Sequence, residues 1–94
     1  MNRTERHEFL ESLSDFTLYE TFYETGTQLG GTLVAVERLA DAKGDTTLFR
    51  RIRAERFAMG DDRDDTGRSD RERQIQLIEQ WNDRREELNR EYEV

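Results

Sequence analysis

Apolar residues recur at three- and four-residue intervals along most of this chain, the spacing of helices that bury one face. Phe9, Leu10 and Leu13 set that rhythm first. Asn2 and Glu5 stand ahead of them as a variant capping box, so the pattern predicts a short helix over residues 3–13. Ser14 and Asp15 supply new N-cap candidates. From there Leu18, Phe22, Leu29, Leu33, Val36 and Ala40 keep a single stripe in phase, with Thr25 filling the gap. The stripe crosses Gly26, Gly30 and Gly31 without slipping, which predicts one helix over residues 15–43, about 40 Å long. A β-hairpin competes for residues 16–36. Phe16, Leu18 and Phe22 alternate there with Thr17, Tyr19, Thr21 and Tyr23, and residues 32–36 form a second β-prone run.

Gly44 fits the position just beyond a helix end, and Asp45 or Thr46 can cap the next helix. Leu48, Phe49, Ile52 and Met59, with Phe57 widening the face, predict a third helix over residues 46–59 that Gly60 ends. Residues 60–68 contain no apolar side chain and read as an acidic loop. Ser69 and Glu72 then form a full capping box for a last helix over residues 70–91, followed by a fraying C-terminus. Ile75, Leu77, Ile78, Trp81, Leu88 and Tyr92 mark its buried side.

The pattern therefore predicts a single small domain over residues 1–94. Its fold class is all-α, a bundle of three to four helices, with α+β and a hairpin over residues 16–36 as the alternative. The long second helix and the last helix are expected to pack antiparallel. The expected core is Phe9, Leu13, Phe16, Leu18, Phe22, Leu29, Leu33, Val36, Leu39, Phe49, Ile52, Ile75, Ile78, Trp81 and Leu88.

Composition makes that core thin. Of 94 residues, 33% are hydrophobic and 39% are charged. Burial contributes about 25 cal/mol per Å² against an ordering cost of about 1.5 kcal/mol per residue, so a second copy or a protein partner would add useful buried surface. The net charge of −7 is unevenly spread: −4 over residues 1–36, +2 over 37–60 and −5 over 61–94. Such a balance argues against generic nucleic-acid binding, which needs a positive field. Fourteen arginines against one lysine, Lys43, fit a GC-rich genome or a lysine-poor surface suited to high salt. The absence of cysteine excludes thiolate chemistry and cysteine zinc sites. The charged residues Arg3, Glu5, Arg6, Glu8 and Glu11 stand where a signal peptide needs an apolar run. No apolar stretch has the length of a membrane span, so the expected location is cytoplasmic.

Candidate chemistry is sparse. Asp62, Asp64, Thr66, Gly67 and Asp70 fall at five ligand or turn positions of an EF-hand loop, but the bidentate carboxylate position holds Arg73, so no metal is expected. The run Gly60-Asp61-Asp62-Arg63-Asp64-Asp65-Thr66 resembles one motif of type I signal peptidases. Those enzymes pair it with a serine nucleophile near a proline, and this chain has no proline. His7, the single histidine, has no recognisable nucleophile and orienting partner, and no cofactor motif appears. The chain is therefore expected not to be an enzyme.

Binding surfaces are better represented. Arg50, Arg51, Arg53 and Arg56 project from the basic third helix, and Asp61, Asp62, Asp64 and Asp65 follow them. Gly26 and Gly30 form a GxxxG, and Gly31 joins a parallel row of small residues, a strip against which another helix could pack closely. The expected function is a small acidic protein-protein interaction module, an accessory or inhibitory factor of a phage or mobile element that blocks a partner protein. A nucleic-acid-binding regulator using the arginines of residues 50–56, and a structural subunit of a larger assembly or homodimer, are the alternatives.

Overall fold

A computed structural model describes residues 2–94. Its described residues form four helices and no strand: α1 (Arg3–Ser12), α2 (Asp15–Ala42), α3 (Thr46–Asp65) and α4 (Arg71–Tyr92). Each helix starts on a side chain that accepts a first-turn amide. Asn2 accepts from Glu5 at 2.8 Å, Ser14 from Thr17 at 3.2 Å, Asp45 from Leu48 at 3.1 Å and Asp70 from Arg73 at 3.1 Å. Asp70 thus takes the cap expected of Ser69.

Residues 16–36 lie within one unbroken helix, and the hairpin alternative is set aside. The β-branched residues that suggested strands are satisfied inside α2. Thr21, Thr25, Thr27 and Thr32 each donate a hydroxyl hydrogen bond to the carbonyl four residues earlier, at 2.7–3.2 Å. At the far end Gly44 adopts φ +71, and the Gly44 and Asp45 amides bond the Asp41 and Ala40 carbonyls. This is a Schellman stop, which needs the left-handed backbone that glycine supplies at no steric cost.

The third helix overruns its predicted end. α3 continues through Gly60 to Asp65, so most of the expected acidic loop is helical and the connection shrinks to residues 66–70. One tertiary contact and one local bond hold the added turns. The Arg63 guanidinium lies 4.3 Å over the Tyr23 ring, and the buried Thr66 hydroxyl bonds the Asp62 carbonyl at 2.7 Å. The positions matched to an EF-hand therefore straddle a helix end instead of forming a loop.

α2 packs against both α3 and α4, Arg84 of α4 clamps the Glu55 carboxylate of α3 with two hydrogen bonds at 2.7 and 2.8 Å, and α1 packs against α4. Arg71 meets Asp15, Trp81 meets Phe22 and Arg85 meets Gln28, so α4 runs parallel to α2. This corrects the antiparallel arrangement expected for that pair. α3 is the antiparallel neighbour: Arg56 meets Glu37, and Arg63 meets Thr27. The core is Leu18, Phe22, Leu29, Leu33, Val36 and Ala40 of α2 closed by Ile52 and Met59 of α3 and by Ile75, Leu77, Ile78, Trp81 and Leu88 of α4. Phe9 and Phe16, both expected in the core, are exposed. Leu13, Leu39 and Phe49 are half-buried. The reason is the shape: the molecule measures 45 × 28 × 14 Å, and its radius of gyration of 14.4 Å exceeds the roughly 12 Å of a compact chain this long. So flat an array has too little interior to cover every apolar residue.

Candidate interaction surfaces

Arg50, Arg51, Arg53 and Arg56, the basic island of α3, divide into two classes. Glu37 on α2 is only 5% exposed, and Arg56 clamps its carboxylate with two hydrogen bonds at 3.0 and 3.2 Å. Arg53 reaches the same carboxylate at 3.8 Å. A buried carboxylate without such a partner costs several kcal/mol, so Arg56 is committed to holding α3 on α2. Arg50 and Arg51 are exposed, and Arg51 borders a shallow depression with Leu39, Lys43 and Tyr92. Arg53 also lies over Phe49 and Phe57, 5.3 and 5.9 Å from their ring centres, and Arg56 lies 5.0 Å over Phe57. These contacts hold the exposed Phe57 ring at the middle of the helix.

Asp61, Asp62, Asp64 and Asp65 are all exposed and belong to the same helix, at its C-terminal end. α3 is thus basic near its start and acidic at its finish, the reverse of what the helix dipole favours. Within the monomer this ordering is unfavourable at the C-terminal end, whereas at the N-terminal end the Asp45 cap is favourable and Arg50 and Arg51 lie beyond the first turn. Local capping and the Arg63 and Thr66 contacts offset it.

The three glycines also differ. A Cβ built on Gly26 would stand 3.1 Å from the Trp81 ring and 3.2 Å from the Arg63 side chain, and one on Gly30 would stand 3.3 Å from the Met59 methyl group. Both glycines let α3 or α4 approach α2. A Cβ on Gly31 would meet nothing within 4 Å. Gly31 instead borders an open groove between α2 and α3, together with Thr27, Gly30, Val34, Phe57, Gly60, Asp61 and Asp64.

An aromatic row at the start of α2 lies outside the residues that sequence pattern alone marks as a binding surface. Phe16, Tyr19 and Tyr23 lie three and four residues apart on one side of the helix, and Phe16 is 70% exposed. Arg68 lies 4.7 Å over Tyr19 and Arg63 covers Tyr23, while Asp15, Glu20 and Glu24 edge the row. Its signal was present in the alternation that suggested a strand. The alternation splits Phe16 from Tyr19 and Tyr23 between two strand faces, whereas their three- and four-residue spacing puts them on one side of a helix.

His7 sits elsewhere, at the α1–α4 contact. Its Nδ1 is 2.5 Å from the Glu79 carboxylate and its Nε2 is 3.2 Å from Glu11. The hydrogen bond to Glu79, then the negative charges of Glu79, Glu11 and Glu8, raise its pKa above the ordinary 6.5 despite some desolvation. No hydroxyl or thiol nucleophile lines the shallow depression around His7; its neighbours there are Glu11, Asp70, Arg71, Glu72, Arg73, Ile75, Gln76 and Glu79.

Among the described residues, no group of three His, Cys, Asp or Glu side chains is arranged to hold a metal ion, and no helix is long and apolar enough to cross a membrane. No family model, curated protein or solved structure matches the chain.

Proposed function

We propose that this is a protein-interaction module without catalytic activity, acting by occupying a surface of a partner protein through the Phe16, Tyr19 and Tyr23 row of α2. The observation that carries the reading is the row itself, in which Phe16 is 70% and Tyr23 46% exposed while Tyr19 between them is half-buried against the core. Aromatic anchors with a polar rim are the usual centre of protein interfaces, because they bury much area at little entropic cost. The rings are also pre-positioned, since Arg63 and Arg68 lie over Tyr23 and Tyr19. Asp15, Glu20 and Glu24 around the row favour a partner with an apolar pocket and a basic rim.

The reading is tested by affinity purification from the native host with the wild type, a Phe16→Ala/Tyr23→Ala variant and an Arg50→Ala/Arg51→Ala variant. The expected result is one protein retained by the wild type and the arginine variant and lost by the aromatic variant. Retention by all three would overturn it. The nucleic-acid alternative is favoured by the exposed Arg50 and Arg51 alone, because Arg56 is committed to Glu37 and acidic residues share the helix. A gel shift at low salt with no retardation at micromolar protein would remove it.

A further inference from the structure

We infer that α3 is a self-association helix: two copies of this chain pair their α3 helices antiparallel about a two-fold axis at Phe57, each helix lying along the other's α2–α3 groove. This goes beyond the aromatic row of α2, and the two are separable. Three observations converge on the same helix.

The first is charge order. Arg50, Arg53, Phe57, Asp61 and Asp64 recur at three- and four-residue intervals and so share one side of α3, and all five are exposed. Antiparallel pairing about Phe57 sets Arg50 opposite Asp64 and Arg53 opposite Asp61 of the second copy, each pair occurring twice by symmetry. The pattern is self-complementary only in this orientation, because parallel pairing would oppose like charges. It also sets the two helix dipoles antiparallel and gives Asp64, unfavourably placed in the last turn of its own helix, a basic neighbour.

The second is Phe57. It is 57% exposed at the centre of this charge pattern, with no apolar neighbour on the outer side of α3 except Ala54 and Ala58. A large ring ringed by matched charges is the layout of an interface centre and rim. The third is Gly31. Glycine inside a helix is unfavourable relative to alanine, and nothing in the monomer approaches Gly31. It borders the groove that also contains Phe57, Asp61 and Asp64, where a side chain would obstruct a second helix. The flat shape leaves this groove open.

The test is the molar mass of the full chain by sedimentation and light scattering across micromolar concentrations. Wild type is expected at twice 11.2 kDa, with weaker association as salt rises from about 0.1 M to about 1 M. Arg50→Asp and Asp64→Arg are each expected to raise the dissociation constant on the order of 10- to 100-fold, since each creates like-charge pairs twice. Mixing the two variants restores both pairs, so a one-to-one heterodimer is expected from two monomeric proteins. Both changes improve the match to the α3 dipole, so folding is retained, and helicity by circular dichroism checks this. Gly31→Leu, which a helix tolerates, is expected to be monomeric because it fills the groove. A monomeric wild type at low salt overturns the proposal. So does a dimer that persists in either charge variant, or a mixture that stays monomeric. Loss of partner binding by the Phe16 and Tyr23 variant with the dimer intact separates this interface from the proposed partner surface.

Discussion

Where α4 meets α2 the contact is continuous and apolar, whereas where it meets α1 the contact is a set of charged pairs around a single leucine. Against α2, the Trp81 ring stacks on Phe22 with centres 5.2 Å apart, and Ile75, Ile78 and Leu88 extend the seam alongside Leu18, Leu29 and Leu33. Against α1, only Leu10 is buried; around it lie Arg3 with Asp83 at 2.9 Å, His7 with Glu79 at 2.5 Å and the Arg71 guanidinium on the Glu11 carbonyl. Exposed ion pairs contribute about 0–1 kcal/mol each, while each fully buried large side chain contributes about 1.5–3 kcal/mol. One helix can therefore take part in the global fold on one side and hold a detachable segment on the other. α1 is expected to open locally at a fraction of the free energy that unfolds α2 from α4.

The largest effect should come from breaking the apolar seam. Trp81→Ala removes the ring that stacks on Phe22 and lies against Gly26, and is expected to cost about 3–5 kcal/mol. Denaturant unfolding followed by circular dichroism reads this as a fall in midpoint shared by all helices. A loss under about 1 kcal/mol would mean the seam is not the centre of the fold. Leu10→Ala at the other contact is expected to cost about 2 kcal/mol, near the lower end for buried leucines because its site lies at the molecular edge. Hydrogen exchange should accelerate in α1 alone, leaving the slow amides of α2 and α4 in place.

Next comes Arg71, which ties the elbow of α1 and α2 to the first turn of α4. Its guanidinium donates to the Glu11 carbonyl at 3.1 Å, the Leu13 carbonyl at 2.8 Å and the Asp15 carboxylate at 2.8 Å. Arg71→Ala should cost about 1–2 kcal/mol, discounted because the side chain is partly solvated. The same exchange experiment should show the loss concentrated at residues 3–18. An effect spread evenly over α2 and α3 would assign Arg71 to the global core instead.

The contrast between the two contacts also marks what the sequence reveals. Helical phase over Leu18, Phe22, Leu29, Leu33 and Val36 was readable because a strongly periodic stripe needs no knowledge of its partner. The overrun of α3 past Gly60 was not readable, since Arg63 and Thr66 hold it through contacts with Tyr23, Thr27 and the chain's own turn. Phe9 and Phe16 satisfied the same periodicity as the true core and yet are exposed, because periodicity defines a face and not whether a neighbour covers it. The basic island was legible as a set of arginines. Their division was hidden, because Glu37 lies nineteen residues from Arg56 and shows no sequence sign of its burial. The direction of α4 was likewise hidden, because the α3 helix and its five-residue connection return the chain to the start of α2.

The smallest effect is a pH dependence confined to the charged contact. Protonated His7 pairs with Glu79 and Glu11, and its pKa is raised in the folded state by the Glu79 hydrogen bond first and by the surrounding carboxylates next. A raised folded-state pKa means the charged form favours docking. That contribution is fully present below the unfolded value near 6.5 and is lost as pH rises through the higher folded value. Docking should therefore be tightest below about pH 6.5 and looser above. Amide exchange in α1 should accelerate across that upper range while the α2–α4 seam stays unchanged. His7→Gln should abolish the dependence while leaving Arg3, Leu10 and Arg71 to hold the helix. A pH response shared equally by α1 and the Trp81 seam would show that the two contacts are one cooperative unit, and the division between them would fail.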